Sequence, residues 1–526
     1  MSERPRVLVR EQIAEPGLEL LRSRFDVVED GESELAEIIG DFDAVVIRSA
    51  TILDAAVIER AVRLKVIGRA GVGVDNVDVD AATRRGIVVA NAAESTVDSA
   101  AEHAIALLFA LARNIPQAHA AVTGGVWERQ RFTGIELAGK TLGVLGLGRI
   151  GREVARRALG LGMRVVAYDP FVAADRFRDL GVEPAASPER LYAEADVVTL
   201  HLPLNDETHH LVGAEAFSRM KDGVRIVNAA RGGLVDEAAL EEAIRSGKVA
   251  GAALDVFETE PYSGPLLSLP QVVVTPHLAG STAEAQDRAG IVIAEQVAAA
   301  LDGRAVRAAV NIPVVDAGDF DAIGPFVPLA TKLGRLAMAL AGAWPSRLTI
   351  AVHGPLSELD TRPLTVAALN GAFQGRVDET VNEVNAPLIA AERGIEVSEQ
   401  RSPTAQHYSN LLRVSVAAGG EDLDVAGTTV GPEHRLFLAG ALGFSIDIEL
   451  GTHMAFLSYE DVPGVIGRVG TMFGDAGVNI ANMAVSRTTE GGTALMAFSI
   501  DSPAQPALVE RVRAEGFADV RFVSFG

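Results

Sequence analysis

The chain contains Gly146-Leu147-Gly148-Arg149-Ile150-Gly151 between a short apolar run, residues 141–145, and a helical pattern. In a strand–turn–helix unit, the first glycine of such a motif permits a tight turn. The second lets backbone N–H groups approach a pyrophosphate, and the third lets helix and strand pack closely. The pyrophosphate then lies at the positive end of the helix. Because glycines also occur in ordinary turns, the motif alone is weak evidence, and the flanking sequence must indicate whether a nucleotide binds here.

An acidic residue, Asp169, ends the next apolar run, residues 165–168. A carboxylate at this place can accept both ribose hydroxyls of NAD, and it would repel the 2′-phosphate of NADP. Pro170 follows it rather than a basic residue. The alternative is a structural turn after a strand, but the order of strand, glycines, helix and acid favours an NAD site.

Apolar runs alternate with helical patterns on both sides of this motif, which predicts an α/β chain with parallel sheets covered by helices. The first series of predicted strands covers residues 6–9, 44–47, 64–67 and 87–90. The second covers residues 141–145, 165–168, 197–200, 224–228, 251–255 and 272–275. Six strands or so in this second series fit a doubly wound nucleotide-binding sheet.

Two long helical patterns, residues 99–113 and 283–301, bracket the second series, so we predict that it is inserted into a first domain. Residues 1–98 and 283–313 would form a split substrate-binding domain, and residues 99–282 the NAD-binding domain. Residues 314–451 show a mixed α/β pattern. Residues 452–526 show the order strand, helix, strand, strand, helix, strand, with strands at 454–458, 479–486, 494–499 and 520–524.

Composition excludes several classes of function. The 526 residues carry a net charge of -23, which argues against wrapping nucleic acid or docking on an anionic membrane. The absence of cysteine excludes disulfides, thiolate metal sites and a cysteine nucleophile, and no metal site is predicted. The N-terminus lacks a signal-peptide core and no apolar run reaches membrane-spanning length, so we expect a cytoplasmic protein.

Three polar segments, residues 228–233, 255–261 and 275–280, follow consecutive predicted strands, where ligands of open α/β sheets bind. Oxidising an alcohol requires a base, for which His277 is the candidate. Glu260 would orient its imidazole and stabilise its positive charge, while Arg231 can hold a substrate carboxylate. Each residue taken alone also has a non-catalytic interpretation. His277 could be a capped, buried histidine, Glu260 a loop acid and Arg231 a surface ion-pair residue. Their joint placement favours catalysis.

Two further histidines carry less weight. His103 lies on the connecting helix, and we interpret it as structural. His201 ends a predicted strand near the cofactor motif, where it would shape that wall.

Over roughly residues 1–313, these motifs resemble those of the D-isomer-specific 2-hydroxyacid dehydrogenases. The resemblance implies a split flavodoxin-like substrate domain with an inserted Rossmann-type NAD domain. It assigns the catalytic roles to Arg231, Glu260 and His277. It also implies NAD contacts from the glycine motif and from the strand ends: Gly146, Gly148, Arg149, Ile150, Gly151, Asp169, Leu202, Pro203, Thr208, Ala229, Ala230, Asp255, His277 and Gly280.

A second group of basic and glycine residues lies in the first domain. Arg48-Ser49 ends one predicted strand, and a glycine-rich segment, residues 68–78, follows the next. Its glycines can expose N–H groups to a carboxylate, while Arg48 and Arg69 are placed to meet a phosphate. This resembles the phosphoglycerate-oxidising branch of the family, which implies 3-phosphoglycerate as the substrate, oxidised to 3-phosphooxypyruvate at the start of L-serine biosynthesis. The implied substrate contacts are Arg48, Ser49, Arg69, Val72 and Gly73.

The same branch implies self-association, as a homotetramer, with Arg129 reaching a neighbouring subunit's site. Residues 459–467 and 477–480 resemble an ACT domain, a βαββαβ module that binds amino acids. The resemblance implies L-serine as an effector, bound through Asp461 and Asn479. The alternative is a helix N-cap at Asp461 and a turn at Asn479. Residues 314–451 occupy the place of an α+β intervening, regulatory domain.

Two rival functions stay open at this point. Another enzyme of the family, such as a glyoxylate or hydroxypyruvate reductase, would leave the pairing of Arg48 with Arg69 unexplained and normally lacks the C-terminal module. A non-catalytic scaffold or corepressor could use the fold to sense NAD. The complete set of Arg231, Glu260 and His277 disfavours it.

Overall fold

The computed structural model describes residues 4–304, 306–313, 317–377, 379–517 and 519–525. Within them the strands form four sheets, of five, seven, six and four strands.

The first sheet is parallel, with the strand order β2-β1-β3-β4-β5. Its strands are β1 Arg6–Val9, β2 Asp26–Glu29, β3 Ala44–Ile47, β4 Val66–Arg69 and β5 Val88–Asn91; the helices are α1 Glu15–Arg24, α2 Leu35–Ile38, α3 Ala55–Arg60 and α4 Val79–Arg84. The start predicted for β4, at residue 64, is wrong by two residues, and Arg69 ends the strand. The prediction missed β2, a half-exposed edge strand with acids at both ends.

The second sheet is also parallel and has seven strands rather than six, in the order β12-β11-β10-β9-β6-β7-β8. Its strands are β6 Thr141–Leu145, β7 Arg164–Tyr168, β8 Glu183–Pro184, β9 Val197–Leu200, β10 Val224–Asn228, β11 Val249–Leu254 and β12 Val272–Val274. The missed strand, β8, has two exposed residues and no apolar pattern. The strand order reverses between β6 and β9, which places the ligand crevice of this sheet beyond their carboxyl ends.

The helices around this sheet are α5 Val97–Ala112, α6 Ile115–Thr123, α7 Arg149–Gly160, α8 Ala174–Leu180, α9 Pro188–Glu194, α10 Ala214–Arg219 and α11 Glu237–Arg245. Across the described residues, no single helix is long and apolar enough to cross a membrane. Val97–Arg113 and Ile115–Thr123 meet that test together, but the pair is bent by 63°.

The chain returns to the first sheet through α12, Ala283–Leu301, whose N-terminus is capped by Thr282. Ile293 and Val297 of α12 pack so closely on Gly68 of β4 that a Cβ there would lie 2.8 Å from Val297 Cγ2. Beyond α12, the amide of Val310 donates to the carbonyl of Val89 over 2.6 Å. This packing supports the inserted arrangement, while the domain limits stay a prediction.

The third sheet follows α13 Ala317–Ile323 and α14 Val327–Ala341. Its strands are β13 Arg347–His353, β14 Glu396–Ser402, β15 Leu411–Ala418, β16 Glu421–Val430, β17 Arg435–Ala441 and β18 Phe444–Glu449, with helices α15 Arg362–Phe373 and α16 Ala386–Glu392. The strand order is β14-β13-β15-β16-β17-β18, and the helices make the unit α+β, as predicted.

The fourth sheet has the βαββαβ order predicted for an ACT module. Its elements are β19 His453–Glu460, α17 Val465–Asp475, β20 Ile480–Arg487, β21 Thr493–Ile500, α18 Pro506–Ala514 and β22 Asp519–Ser524. One face of the sheet packs on α17 and α18. The other face, with Phe456 and Leu495 fully buried, belongs to the same hydrophobic core as Leu438 and Ile448 of the third sheet. We call this continuous cluster the C-terminal core.

Candidate active site

The glycine motif lies between β6 and α7, at the point where the strand order reverses. A Cβ on Gly146 would lie 2.5 Å from the His201 carbonyl oxygen, and one on Gly151 would lie 2.0 Å from the Gly146 carbonyl oxygen. Gly148, the N-cap of the twelve-residue helix α7, has nothing within 4 Å of a Cβ and is exposed. Two glycines therefore permit close backbone packing, and the third leaves open space at a helix N-terminus. This arrangement fits a pyrophosphate.

Asp169 lies beside this motif. Its carboxylate accepts hydrogen bonds from the amides of Leu147, over 2.8 Å, and Phe171, over 3.0 Å. These two bonds fix the carboxylate next to the glycine turn, where the ribose of a bound dinucleotide is expected. Arg149 pairs with Glu94 of the opposite side of the cleft over 3.0 Å, and Ile150 is partly buried beside it.

The second wall of the cofactor site comes from the segments after β9 and β10. Burial lowers the pKa of His201 to about 4, so its imidazole is neutral, and Thr199 Oγ1 lies 2.9 Å from its Nε2. After Leu202, the Thr208 hydroxyl donates to the Pro203 carbonyl over 2.7 Å and closes the loop. Leu202 lies against the glycine turn, since a Cβ on Gly146 would lie 2.8 Å from Leu202 Cδ2.

The turn after β10 carries Ala229, Ala230 and Arg231. Asn228 fixes it, since its amide nitrogen donates to the Arg231 carbonyl over 2.8 Å and its amide oxygen accepts from the Ala230 N–H over 3.1 Å. On the far side, a Cβ on Gly280 would lie 3.3 Å from Thr96 Cγ2 of the first domain. Ala229 and Ala230 thus lie at the carboxyl end of β10, and Gly280 faces the first domain; their contacts with NAD stay a prediction.

Asp255 differs from the other predicted cofactor residues because its carboxylate is fully buried. It accepts from the Thr275 hydroxyl over 2.5 Å and from the amides of Leu278 and Ala279 over 2.8 Å each. Burial alone would raise its pKa, but hydrogen bonds from His103, Thr275 and the two amides bring it to about 2. Its side chain thus serves the loop around His277, and its role as a cofactor contact stays a prediction.

His277 and Glu260 come together as predicted. The imidazole Nδ1 lies 2.9 Å from Glu260 Oε2, while the Phe257 amide donates to Glu260 Oε1 over 3.1 Å. The pair is half-exposed, with 51% of the His277 side chain accessible to solvent. A carboxylate bonded to Nδ1 leaves Nε2 as the nitrogen that can exchange a proton with a substrate.

Arg231 reaches across the cleft to the glycine-rich segment after β4. Its Nε lies 3.5 Å from Asp75 Oδ2, and a Cβ on Gly73 would lie 2.4 Å from its Nη2. Gly73 therefore lets the guanidinium approach the backbone of the first domain. Beside it, the Asn91 side chain holds the Val72 carbonyl over 2.6 Å.

Arg69 is the most enclosed of the basic residues in the cleft. Its Nε is buried and has no hydrogen-bond partner, and a Cβ on Gly71 would collide with its guanidinium. Burial and then the charge of Arg231 lower its pKa, with a smaller contribution from Arg48 in the same direction. An unpaired guanidinium N–H close to two more cations is an arrangement that an anion would complete.

Arg48 and Ser49 follow β3 and are held by two residues that the sequence did not suggest. Glu11 accepts from the amides of Arg48, Ala50 and Thr51 over 2.8, 3.2 and 3.0 Å. The side-chain amide nitrogen of Asn76 donates to the backbone carbonyls of Arg48 and Thr51. Asn76 belongs to the glycine-rich segment, residues 68–78, but the sequence assigned it no role. No sequence pattern distinguishes Glu11 from any other acid after a strand.

Arg129 is not brought to this cleft. It belongs to an exposed segment, residues 124–131, that follows α6, and within the described chain no hydrogen bond or ion pair joins it to the cleft. Trp127 in the same segment is 74% exposed.

The two predicted effector residues lie at opposite ends of the fourth sheet. Asp461 follows the end of β19 that pairs with Thr493, while Asn479 precedes the end of β20 that pairs with Ile500. The length of β21 between them corresponds to roughly 20 Å. Asp461 pairs with Arg487 over 2.9 Å, and this bond lowers the pKa of Asp461. The N-cap of α17 is Gly464, so the alternative N-cap role of Asp461 is wrong.

Three parts of the chain match known families. Residues 105–279 match the NAD binding domain of D-isomer specific 2-hydroxyacid dehydrogenases. Residues 322–438 match the D-3-phosphoglycerate dehydrogenase intervening domain, and residues 453–517 match the ACT domain.

Similar proteins extend the match over the whole chain. A D-3-phosphoglycerate dehydrogenase of Archaeoglobus fulgidus is 45% identical over 98% of this chain and 99% of its own. One of Mycobacterium leprae is 44% identical over 94% of both. A crystal structure of a glyoxylate reductase from Paecilomyes thermophila, 33% identical with a TM-score of 0.55, covers 59% of this chain and 99% of that one. The chain therefore belongs to the D-isomer specific 2-hydroxyacid dehydrogenases, a family of NAD-dependent oxidoreductases, and within it to the D-3-phosphoglycerate dehydrogenases.

Proposed function

We propose that the protein oxidises D-3-phosphoglycerate to 3-phosphooxypyruvate with NAD, the first step of L-serine biosynthesis, in the cytoplasm. The observation that carries the proposal is the group of Arg48, Arg69 and Arg231, in which the Nε of Arg69 is buried and unpaired. Arg231 and His277 follow strands of the same parallel sheet, at its carboxyl edge. A substrate with a carboxylate at one end and a phosphate at the other matches three cations around one cleft.

In this reaction Arg231 holds the substrate carboxylate, and Arg69 with Arg48 holds the phosphate. His277 accepts the hydroxyl proton at Nε2 while Glu260 keeps its ring in place. Bound NAD supplies the hydride acceptor. The residues that would hold it are the glycine turn, Asp169 and the wall formed by Leu202, Pro203 and Thr208. The base, the anion site and the cofactor crevice then share one cleft between the two parallel sheets.

The decisive experiment is NADH formation by the purified full-length protein with D-3-phosphoglycerate, run beside glyoxylate and hydroxypyruvate reduction. We expect the phosphorylated substrate to give the highest kcat/KM. A preference for glyoxylate would instead favour the reductase function. NADH binding without turnover of any of these substrates would favour a non-catalytic NAD sensor.

Cofactor choice gives the first prediction. Asp169→Ala should narrow the preference for NAD over NADP by about tenfold or more, because it removes the repulsion of the 2′-phosphate. The measurement is kcat/KM with each cofactor. Asp175→Ala, an exposed acid on α8, is the matched control and should leave the ratio unchanged. Equal use of both cofactors by the unaltered enzyme would contradict the assignment of Asp169.

Self-association is part of the proposal. The surface that would pair with a second copy is formed by α6 and residues 124–131, where Ile115, Val122 and Trp127 are 52%, 50% and 74% exposed. Pairing there would cover these apolar groups and bring Arg129 of each chain toward the other's cleft. A homotetramer needs a second pairing surface, and sedimentation equilibrium of the full-length protein measures the mass directly.

Regulation by serine is the last part of the proposed function. Asp461 and Asn479 of one chain lie roughly 20 Å apart. A single serine can therefore contact an Asp461 and an Asn479 only if they belong to two different copies of the chain. The serine ammonium would replace Arg487 as the partner of Asp461, and Asn479 can both donate and accept. Inhibition then requires a different affinity of serine for two arrangements of the subunits.

We expect Asp461→Ala to abolish inhibition of the full-length enzyme by serine without lowering its activity in the absence of serine. Rates across a serine titration measure the effect. Glu510→Ala, which removes an exposed acid on α18, is the control and should stay inhibited. If millimolar serine fails to bind the unaltered protein in calorimetry, the regulatory proposal is wrong and the dehydrogenase proposal stands.

A further inference from the structure

The loop that carries His277 is held by a buried carboxylate. Asp255 is fully buried at the end of β11, and its side chain bonds the Thr275 hydroxyl and the amides of Leu278 and Ala279. Its own carbonyl accepts the His277 amide over 2.8 Å. One residue thus fixes the backbone on both sides of the base.

The backbone at His277 needs such support. Its φ of 56° lies in the left-handed region, which is uncommon for residues other than glycine, although histidine adopts it more often than most, and which costs on the order of 1 kcal/mol. A residue in this conformation keeps it only where its surroundings determine it. Without the bonds to Asp255, the imidazole would lose its fixed direction toward the cleft.

His103 is the partner of Asp255 that comes from another element. Its Nε2 lies 3.2 Å from Asp255 Oδ1 and 3.1 Å from Thr275 Oγ1. The other described side-chain bonds to Asp255 come from the loop of residues 275–279 itself. His103 lies on α5, the helix through which the chain passes from the first sheet to the second. It therefore connects this helix to the loop of the base.

A buried carboxylate that loses a donor is left with an unsatisfied charge, which costs more than an ordinary hydrogen bond. Asp255 is ionised at neutral pH because its donors bring its pKa to about 2 despite burial. Removing His103 is therefore expected to disturb the carboxylate and the three groups it holds rather than leave them in place.

Resting on the proposed dehydrogenase function, we propose that His103 is a positioning residue for the reaction: acting through Asp255, it orients His277 and links that orientation to helix α5. His103 itself touches neither substrate nor cofactor in this role and transfers no proton. The interpretation of His103 as merely structural is then too narrow.

The test is His103→Leu, which removes the donor and keeps an apolar side chain. We expect kcat to fall by about 10–100-fold, since misplacing a reacting group by about 1 Å costs up to that much. The affinity for NADH, followed by its fluorescence, and KM for D-3-phosphoglycerate should change less than about threefold, because Asp169 at the glycine turn and Arg69 have partners other than His103 and Asp255. A substrate deuterated at C2 should show a larger isotope effect on kcat only if hydride transfer itself has slowed.

His103→Gln, whose amide can still donate, should recover most of the activity. His434→Asn, at an exposed turn between β16 and β17, is the control and should match the unaltered enzyme. A second readout does not depend on activity: exchange of the amides of Leu278 and Ala279 with deuterated water should accelerate in His103→Leu and not in His434→Asn.

Unchanged kcat together with unchanged amide exchange in His103→Leu would overturn the proposal. So would a loss of NADH affinity as large as the loss of kcat, because that indicates general damage to the domain. Absence of D-3-phosphoglycerate turnover by the unaltered enzyme would instead refute the proposed function. The exchange experiment would still decide whether His103 holds the loop.

Discussion

Replacing His277 with asparagine is expected to lower kcat for D-3-phosphoglycerate oxidation by about 10²–10⁴-fold, the usual contribution of a general base. Asparagine is polar, its amide reaches about as far as Nδ1 but not as far as Nε2, and it can occupy the left-handed backbone conformation that His277 has. The loss would therefore reflect the missing proton acceptor rather than a distorted loop. Steady-state kinetics at several pH values measure it.

Binding of NADH should survive this change, because the glycine turn and Asp169 are separate from the His277 loop. Glu260→Gln should cost less than the loss of the base, since glutamine can still orient the imidazole but cannot stabilise its positive charge. His434→Asn, at an exposed turn outside the catalytic domains, is the matched control. Turnover within threefold of normal in the asparagine variant would exclude His277 as the base.

Arg69→Gln is expected to reduce kcat/KM for D-3-phosphoglycerate by about 10²–10³-fold, corresponding to roughly 3–4 kcal/mol, within the range for breaking an enclosed charge pair. Burial and the neighbouring Arg231 lower the pKa of Arg69, which indicates that its charge lacks full compensation in the free protein. A phosphate dianion would provide that compensation. Initial rates with varied substrate measure the loss.

The same variant should lose far less with an unphosphorylated 2-hydroxyacid, because the tail of that substrate carries no charge for Arg69 to bind. Arg60→Gln, an exposed arginine at the end of α3, is the control and should affect neither substrate. An equal loss with both substrates would mean that Arg69 supports the fold of the cleft rather than the phosphate.

Local patterns predicted the strands and the motif residues well, because apolar runs and glycine turns depend on neighbours in sequence. They located β6, β9 and β10 to the residue and brought Arg231, Glu260 and His277 to one cleft. They could not identify Glu11, whose three amide partners lie about forty residues away. They also missed β2 and β8, since exposed edge strands have no apolar run to reveal them.

Asp255 shows most clearly what local sequence patterns could not predict. Its place after β11 suggested a contact with the cofactor, but the sequence did not reveal that Thr275 and the following amides would enclose its carboxylate. That outcome depends on how the turn after β12 folds back, which is a property of the tertiary structure. The sequence after Val274 gives no local sign of it.

The C-terminal core limits where this protein can be joined to another protein without disrupting its packing. Met454, Phe456 and Leu495 are almost completely buried against the third sheet, and exposing each would cost about 1.5–3 kcal/mol. Lys332 of α14 also lies over the ring of Phe525, close to the C-terminus. A gene fusion joined at residue 452 would divide this core. A fusion joined near Pro313 would keep the core whole, because the third and fourth sheets would be transferred together to a new dehydrogenase. Exchange of these two sheets among such enzymes is therefore favoured at the earlier junction.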